Sequence, residues 1–212
     1  MKRGQTILLC MLLSTTLFAG EDDIRLPQPD MKRNCTVMQA LQQRCSTRDF
    51  ATRELSEQDL GDLLWAANGV NRHETGKRTA PSALNRQDVD IYVVKQNGCY
   101  RYEAEGHRLV LVADGDYRKD VAAGQDFAAE APVLLVLVSD FARMGDVASA
   151  GTARACALDA GIVSQNISLF CAAAELATVP RMTMDEDALR KALKLKDSQQ
   201  LMLNHPVGYM KR

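Results

Sequence analysis

Pro132-Val133-Leu134-Leu135-Val136-Leu137-Val138-Ser139 is the stretch that decides the fold. It is an uninterrupted apolar run of strand length. A strand with one wet face would alternate, so this one is expected to be covered on both faces. Residues Ala153 to Ala177 follow, apolar nearly all round and rich in Ala, which predicts a long buried central helix. Helices on both sides of a covered strand make a mixed α+β domain.

Working outward, Ile91, Tyr92, Val93 and Val94 mark a strand over Asp90–Lys95. Tyr100–Glu103 and Arg108–Val112 read as two strands of a hairpin-like excursion. On the carboxyl side, Asp185–Leu195 is an amphipathic helix with Leu189, Ala192 and Leu193 inward, and Gln200–Asn204 is a last short strand. Toward the amino terminus, Thr36–Gln43 has helical spacing. Ser56-Glu-Gln-Asp59 opens a second helix, in a capping-box pattern with Asp in the fourth position, and Gly69 ends it. Asn71–Ala80 is a polar, basic loop by composition. His205, before Pro206, is expected to pack or hydrogen-bond at a strand end.

The 212 residues carry 46% apolar and 25% charged side chains, with Lys+Arg 26 against Asp+Glu 27. That excludes a disordered polar chain and leaves no basic excess to follow a nucleic-acid backbone. Lys2-Arg3, the apolar run Ile7–Leu13 and a small-residue end near Ala19-Gly20 read as an export signal over residues 1–20. The mature chain is then exported, to the periplasm, with no membrane anchor. Residues 21–35, with Pro27 and Pro29, form an amino-terminal arm, and 36–212 form one domain. Loss of Cys10 with the signal leaves Cys35, Cys45, Cys99, Cys156 and Cys171, with no C-x-x-C and no zinc spacing. Cys156 and Cys171 read as small buried hydrophobes.

No Rossmann, Walker, nucleophile-elbow or H-E-x-x-H motif occurs, and His73, His107 and His205 are scattered, so no metal site is expected. Two stretches carry chemistry. In Arg44-Cys-Ser46-Thr-Arg48, an extended backbone puts two guanidinium forks and a hydroxyl on one side, a receptor for phosphate and polyol. In Thr79-Ala-Pro81-Ser82-Ala83-Leu-Asn85-Arg-Gln87, small residues, a hydroxyl and amides can lie against a flat heteroaromatic ring. The plain alternatives are a solvated basic turn and a Pro-initiated turn.

With Leu64-Trp-Ala-Ala-Asn68-Gly, Asp159-Ala-Gly-Ile-Val-Ser-Gln165-Asn166, Leu176-Ala-Thr-Val-Pro180 and Val207-Gly-Tyr209, these stretches resemble the nitroreductase family, in its azoline-dehydrogenase-like branch. The motifs stand in the family's order and span nearly all of 36–210. The resemblance implies a mixed, mainly antiparallel sheet flanked by helices, a homodimer, and FMN at the subunit interface. Arg44, Ser46 and Arg48 would hold the phosphate, ribityl chain and pyrimidine edge. Pro81, Ser82, Ala83 and Asn85 would reach the ring from the other subunit. Gln125 would meet the ring edge, and the backbone at Thr178, Val179 and Pro180 its N5 side, with Arg181 a weaker candidate. Lys211, after Met210 in place of the family's Pro, would complete the phosphate site. Trp65 is read as core or dimer packing.

The implied activity is an FMN-dependent oxidoreductase passing hydride or electrons, ping-pong, through flavin N5 to or from a nitroaromatic, quinone or azoline-like molecule. No side chain is required as a catalytic acid or base. A cation such as Arg44 or Arg48 near N1 and O2 would raise the reduction potential. NAD(P)H is the family's usual donor, and export would place the chain away from it. A non-catalytic flavin carrier and a flavin-free dimeric scaffold are the alternatives.

Overall fold

The computed structural model describes residues 23–145 and 147–211, and the expected export segment lies outside them. The elements in order are β1 (Ile24–Arg25), α1 (Val37–Gln43), α2 (Glu57–Asn68), β2 (Val70–Arg72), β3 (Lys77–Arg78), β4 (Val89–Lys95), β5 (Gly98–Glu103) and β6 (Arg108–Asp114). They continue with α3 (Arg118–Ala122), α4 (Asp126–Ala129), β7 (Val133–Asp140), α5 (Ala150–Ala173), β8 (Leu176–Thr178), α6 (Glu186–Ala192) and β9 (Gln199–Tyr209). Seven strands form one sheet in the order β1-β6-β5-β4-β7-β9-β8, and its ladders are antiparallel. The arm residues Ile24–Arg25 close one edge of that sheet as β1, paired with β6.

β7 lies between β4 and β9, as its continuous apolar run requires. Val133, Leu135 and Leu137 pack with Leu60, Leu63 and Leu64 of α2 and Ala160, Val163 and Ile167 of α5. Leu134, Val136 and Val138 face the opposite layer, with Val121, Ala122, Ala128, Leu189 and Leu193 from the region of α3, α4 and α6. Each buried Val or Leu contributes about 1.5–3 kcal/mol. A polar residue anywhere from 133 to 138 would therefore strike one core or the other.

Helix α2 shows why Asp59 suffices where a capping box has Glu or Gln. Ser56 Oγ accepts from the Asp59 backbone N–H at 3.0 Å, but Asp59 Oδ2 returns only to the Ser56 hydroxyl, at 2.7 Å, and not to its backbone N–H. Tyr209 fills that place: its Oη accepts from the Ser56 N–H at 3.2 Å and donates to Asp59 Oδ2 at 2.5 Å. The last strand thereby holds the first turn of α2.

Three expectations are corrected. The stretch expected to be a loop over 71–80 contains the β2–β3 hairpin, turning through Gly76 at φ +61. The last strand does not stop at Asn204 but runs through His205 and Pro206 to Tyr209. Pro206 falls between the Thr178–Val207 pair and the Arg181–Asn204 bridge, where the β8 ladder is interrupted, so its missing N–H breaks no run of bonds. His205 is consequently mid-strand and fully buried.

The third correction concerns α5. It ends at Ala173, and a turn with Glu175 at φ 54 leads into β8, so Leu176–Thr178 are strand rather than helix. Nor is α5 covered all round: Leu158 is 63% and Ile162 37% exposed. Neighbouring α1 exposes Val37 at 71% and Met38 at 74%. Alanines and glycines around the helix hid which stripe faces the sheet.

Candidate functional site

The segment after α1 leaves the helix at Arg44 and runs extended along the end of the sheet. Thr47 donates its backbone N–H to Thr178 O at 2.9 Å, and Ala51 donates to Tyr209 O at 2.8 Å. Phe50 bridges antiparallel to Met210, so Lys211 comes opposite Asp49. This close approach needs Gly208, where an added Cβ would lie 2.8 Å from Pro132 Cδ and 3.3 Å from Phe50 Cβ. Arg44, Ser46, Arg48 and Lys211 are all exposed along this edge. None of the three cations forms an ion pair among the described residues.

Gln125 stands at the start of α4 beside them. Its Oε1 accepts from Arg181 Nε at 3.0 Å, leaving the amide N–H₂ as its free end. Arg181 is buried, and its other nitrogens donate to Asn204 Oδ1 at 2.8 Å, Ala122 O at 2.8 Å and Val121 O at 3.3 Å. Every bond goes to a neutral acceptor, and burial pulls its pKa below the ordinary arginine value. Its role is thus to lock the Gln125 loop to β9. The Phe127 ring is shared by the Arg48 and Arg181 guanidinium groups, at 5.8 and 5.6 Å from its centroid.

Thr178 is fixed from below. His205 places Nδ1 3.2 Å from Thr178 Oγ1 and Nε2 2.8 Å from Ser164 Oγ of α5. Burial pushes its pKa down to about 3, so the imidazole is neutral, with one ring nitrogen donating and the other accepting. Val179 follows, buried, and then Pro180, exposed. Sequence reasoning missed Phe127 and this role for His205. Each depends on contacts between distant elements, and local pattern carries no signal for either.

The second stretch lies elsewhere. Pro81 and Asn85 are exposed and Ser82 and Ala83 half-buried on a tight turn before β4. Ala83 N–H donates to Asp159 Oδ2 of α5, and Gln87 N–H to Ser82 Oγ, both at 2.8 Å. Leu84, Asn85 and Gln87 are left-handed, at φ 51, 54 and 49. Such strain persists only where surroundings impose it. Behind the turn, Asp88 is fully buried and accepts from Ser139 Oγ at 2.5 Å. Burial chiefly, with Asp88 adding, raises the Asp159 pKa to about 6, against the Ala83 N–H that lowers it.

The two stretches sit at opposite ends of β7. Thr178 pairs with Val207, which pairs with Val133, whereas Val89, just after the turn, pairs with Ser139. Six residues of strand separate them, roughly 20 Å at the ordinary rise. Within one chain they cannot line the same small-molecule cleft. Among the described residues no group of His, Cys, Asp or Glu converges as a metal set. Cys99, Cys156 and Cys171 are buried, and burial lifts the Cys99 thiol to about 12, which makes it inert.

Comparison with known proteins gives one consistent result. The nitroreductase family pattern matches residues 41–209. A candidate nitroreductase of Methanocaldococcus jannaschii is 29% identical over 196 residues, covering 88% of this chain and 97% of the relative. A crystal structure of a candidate nitroreductase from Ralstonia eutropha JMP134 superposes with a TM-score of 0.84 at 35% identity, covering 91% of each chain. B. megaterium NfrA2 shares the fold at a TM-score of 0.62 and 20% identity, covering 83% of this chain and 67% of its own.

Proposed function

This chain belongs to the nitroreductase family and is an oxidoreductase; from that premise we propose that it binds FMN and works as a homodimer. When bound, FMN supplies hydride or electron transfer at N5, to or from a small nitroaromatic, quinone or azoline-like molecule. Arg44, Ser46, Arg48 and Lys211 hold the phosphate, ribityl chain and pyrimidine edge. Gln125 presents its free amide N–H₂ to a ring-edge acceptor, and Thr178–Pro180 lie along the ring. Pro81, Ser82, Ala83 and Asn85 are lent by the other subunit.

The observation that carries this reading is the convergence of unpaired Arg44 and Arg48, through the Thr47–Thr178 bond, with an amide whose oxygen is already engaged. A guanidinium fork without a carboxylate fits an anionic phosphate. Two further facts favour a dimer. The ~20 Å between the two stretches leaves half of the site to be supplied by a second chain. The apolar stripe of Leu158 and Ile162 on α5, with Val37 and Met38 on α1, is of the kind that covered interfaces bury. Residues 1–20 extend the proposal to an exported enzyme with a donor drawn from outside the cytoplasm.

An anaerobic reduction titration of the purified protein tests the reading. Yellow protein that releases FMN on denaturation, bleaches with a donor and reoxidises with a quinone or nitroarene supports it. FMN that binds but stays oxidised with every donor would favour a carrier. Colourless protein that takes up no added FMN would favour a scaffold.

A further inference from the structure

A second cationic cleft lies away from the Arg44 edge. Arg78 of β3, Arg86 of the turn before β4, Arg101 of β5 and Arg143 of the turn after β7 line an open cleft of about 350 Å³. Arg143 is neutralised: its Nη2 donates to Asp90 Oδ2 at 2.6 Å and its Nη1 to Asp90 Oδ1 at 3.1 Å. Glu103, also on the lining, is paired to Arg108. Arg78, Arg86 and Arg101 form no ion pair among the described residues; the carboxylates on the lining are Asp90, engaged by Arg143, Glu103, engaged by Arg108, and Glu105.

Arg78 is the telling member. It is half-buried, and its Nε is fixed by donation to Gln87 Oε1 at 3.0 Å. Gln87 is itself anchored, donating Nε2 to Gly76 O at 3.0 Å. The terminal nitrogens of Arg78 have no acceptor among the described residues. Desolvation lowers its pKa from the ordinary value and outweighs the favourable field of Asp90, with Arg143 adding repulsion. A guanidinium held in place, partly stripped of water and touched by no carboxylate is stabilised by an anion that joins it. Arginines arriving from three separate elements can engage a tetrahedral anion from several directions, whereas a planar carboxylate is satisfied by one or two forks.

We propose that this cleft binds the phosphate or pyrophosphate group of a small molecule, at a site separate from the residues assigned to FMN. Asp90, on the cleft lining, pairs with Val138 near the far end of β7, so the two cationic sites of one chain are well separated. Arg86 and Gln87 belong to the same turn as Pro81–Asn85, so an anion seated here also braces the segment lent to the other subunit.

The FMN-saturated protein is titrated calorimetrically with inorganic phosphate and with pyrophosphate at low salt. Saturable binding is expected, weakened about tenfold or more in Arg78→Gln, the loss of one charge-assisted contact. Exposed Lys191→Gln should leave it unchanged. Should Arg78→Gln misfold, exposed Arg86→Gln and half-exposed Arg101→Gln give the same reading. Pyrophosphate that raises the donor KM in the parent but not in Arg78→Gln identifies the anion as part of the donor. Arginine-dependent binding that leaves KM alone identifies a separate phosphorylated metabolite, and both support the site. If the protein binds no FMN, the same titration is read on the colourless protein, so the two readings fail separately. No saturable binding, or binding indifferent to all three arginine substitutions, overturns the proposal.

Discussion

The Thr47 backbone N–H donates to Thr178 O at 2.9 Å, and this one bond aligns the Arg44–Arg48 segment with the end of β8. It sets exposed cations beside a stretch fixed from beneath by His205. Replacing both Arg44 and Arg48 by Gln should weaken FMN binding by about 10²–10⁴-fold, since contacts to charged groups contribute about 1.5–3 kcal/mol each. Both side chains are exposed, so unfolding free energy should change by less than about 0.5 kcal/mol. Fluorescence titration with FMN and denaturant melts separate the two effects.

Gly208→Ala drives a methyl group against Pro132 and Phe50. Overpacking of this kind costs about 1–3 kcal/mol. The Phe50–Met210 bridge would be pushed apart, carrying Lys211 away from the arginine edge. A lowered thermal midpoint together with weaker FMN retention is the expected pair of results. Ala at Gly161, which meets nothing within 4 Å, is the control.

His205 makes stability depend on pH with a definite sign. Its folded pKa is depressed to about 3 from an ordinary 6.5, so the unfolded chain binds the proton first. Its contribution is intact above about pH 6.5 and is lost as pH falls toward about 3, at up to ~1.4 kcal/mol per pH unit. Asp159 runs oppositely: its pKa is raised to about 6, so its contribution is lost as pH rises from about 4 through 6. Parent-minus-variant unfolding curves for His205→Gln should slope downward toward acid, and those for Asp159→Asn downward toward neutrality. A flat difference curve in either case would contradict the assignment.

Leu158→Glu with Ile162→Glu places two charges on the uncovered stripe of α5. Each is exposed in the single chain, so the fold should survive, while burial of unpaired carboxylates against a second copy is prohibitive. Light scattering should report a monomer, and FMN should be lost with the dimer. A dimer that persists would move the interface elsewhere.

Much of this molecule is legible in its sequence. The run Val133–Val138 gave a doubly covered strand because nothing in it alternates, Ser56 marked a helix start through its side-chain cap, and the spacing of Leu189, Ala192 and Leu193 marked the helix after Asp185. Less legible was anything whose signal is spread over distance. Pro206 reads locally as a strand end, yet it sits in an interruption of the β8 ladder set by other residues. The exposed stripe of α5 was masked by alanine and glycine, which suit either side of a helix. Arg44, Ser46 and Arg48 were visible as a pattern, but Phe127 shared by two guanidinium groups, and Arg181 locking Gln125, exist only once α4, β8 and β9 are brought together.

A mixed dimer tests the central claim most directly. One chain carries Arg44→Gln and Arg48→Gln; the other carries Asn85→Ala with Pro81→Ala; the two are tagged differently and the mixed species is isolated. If each site joins the arginine edge of one subunit to the turn of the other, one of the two sites in the mixed dimer contains both altered halves and its companion contains neither. FMN should then be absent or weakly held in each altered homodimer and return to parental affinity at one site per mixed dimer. Mixed dimers that bind no better than the altered homodimers would contradict a site shared between subunits.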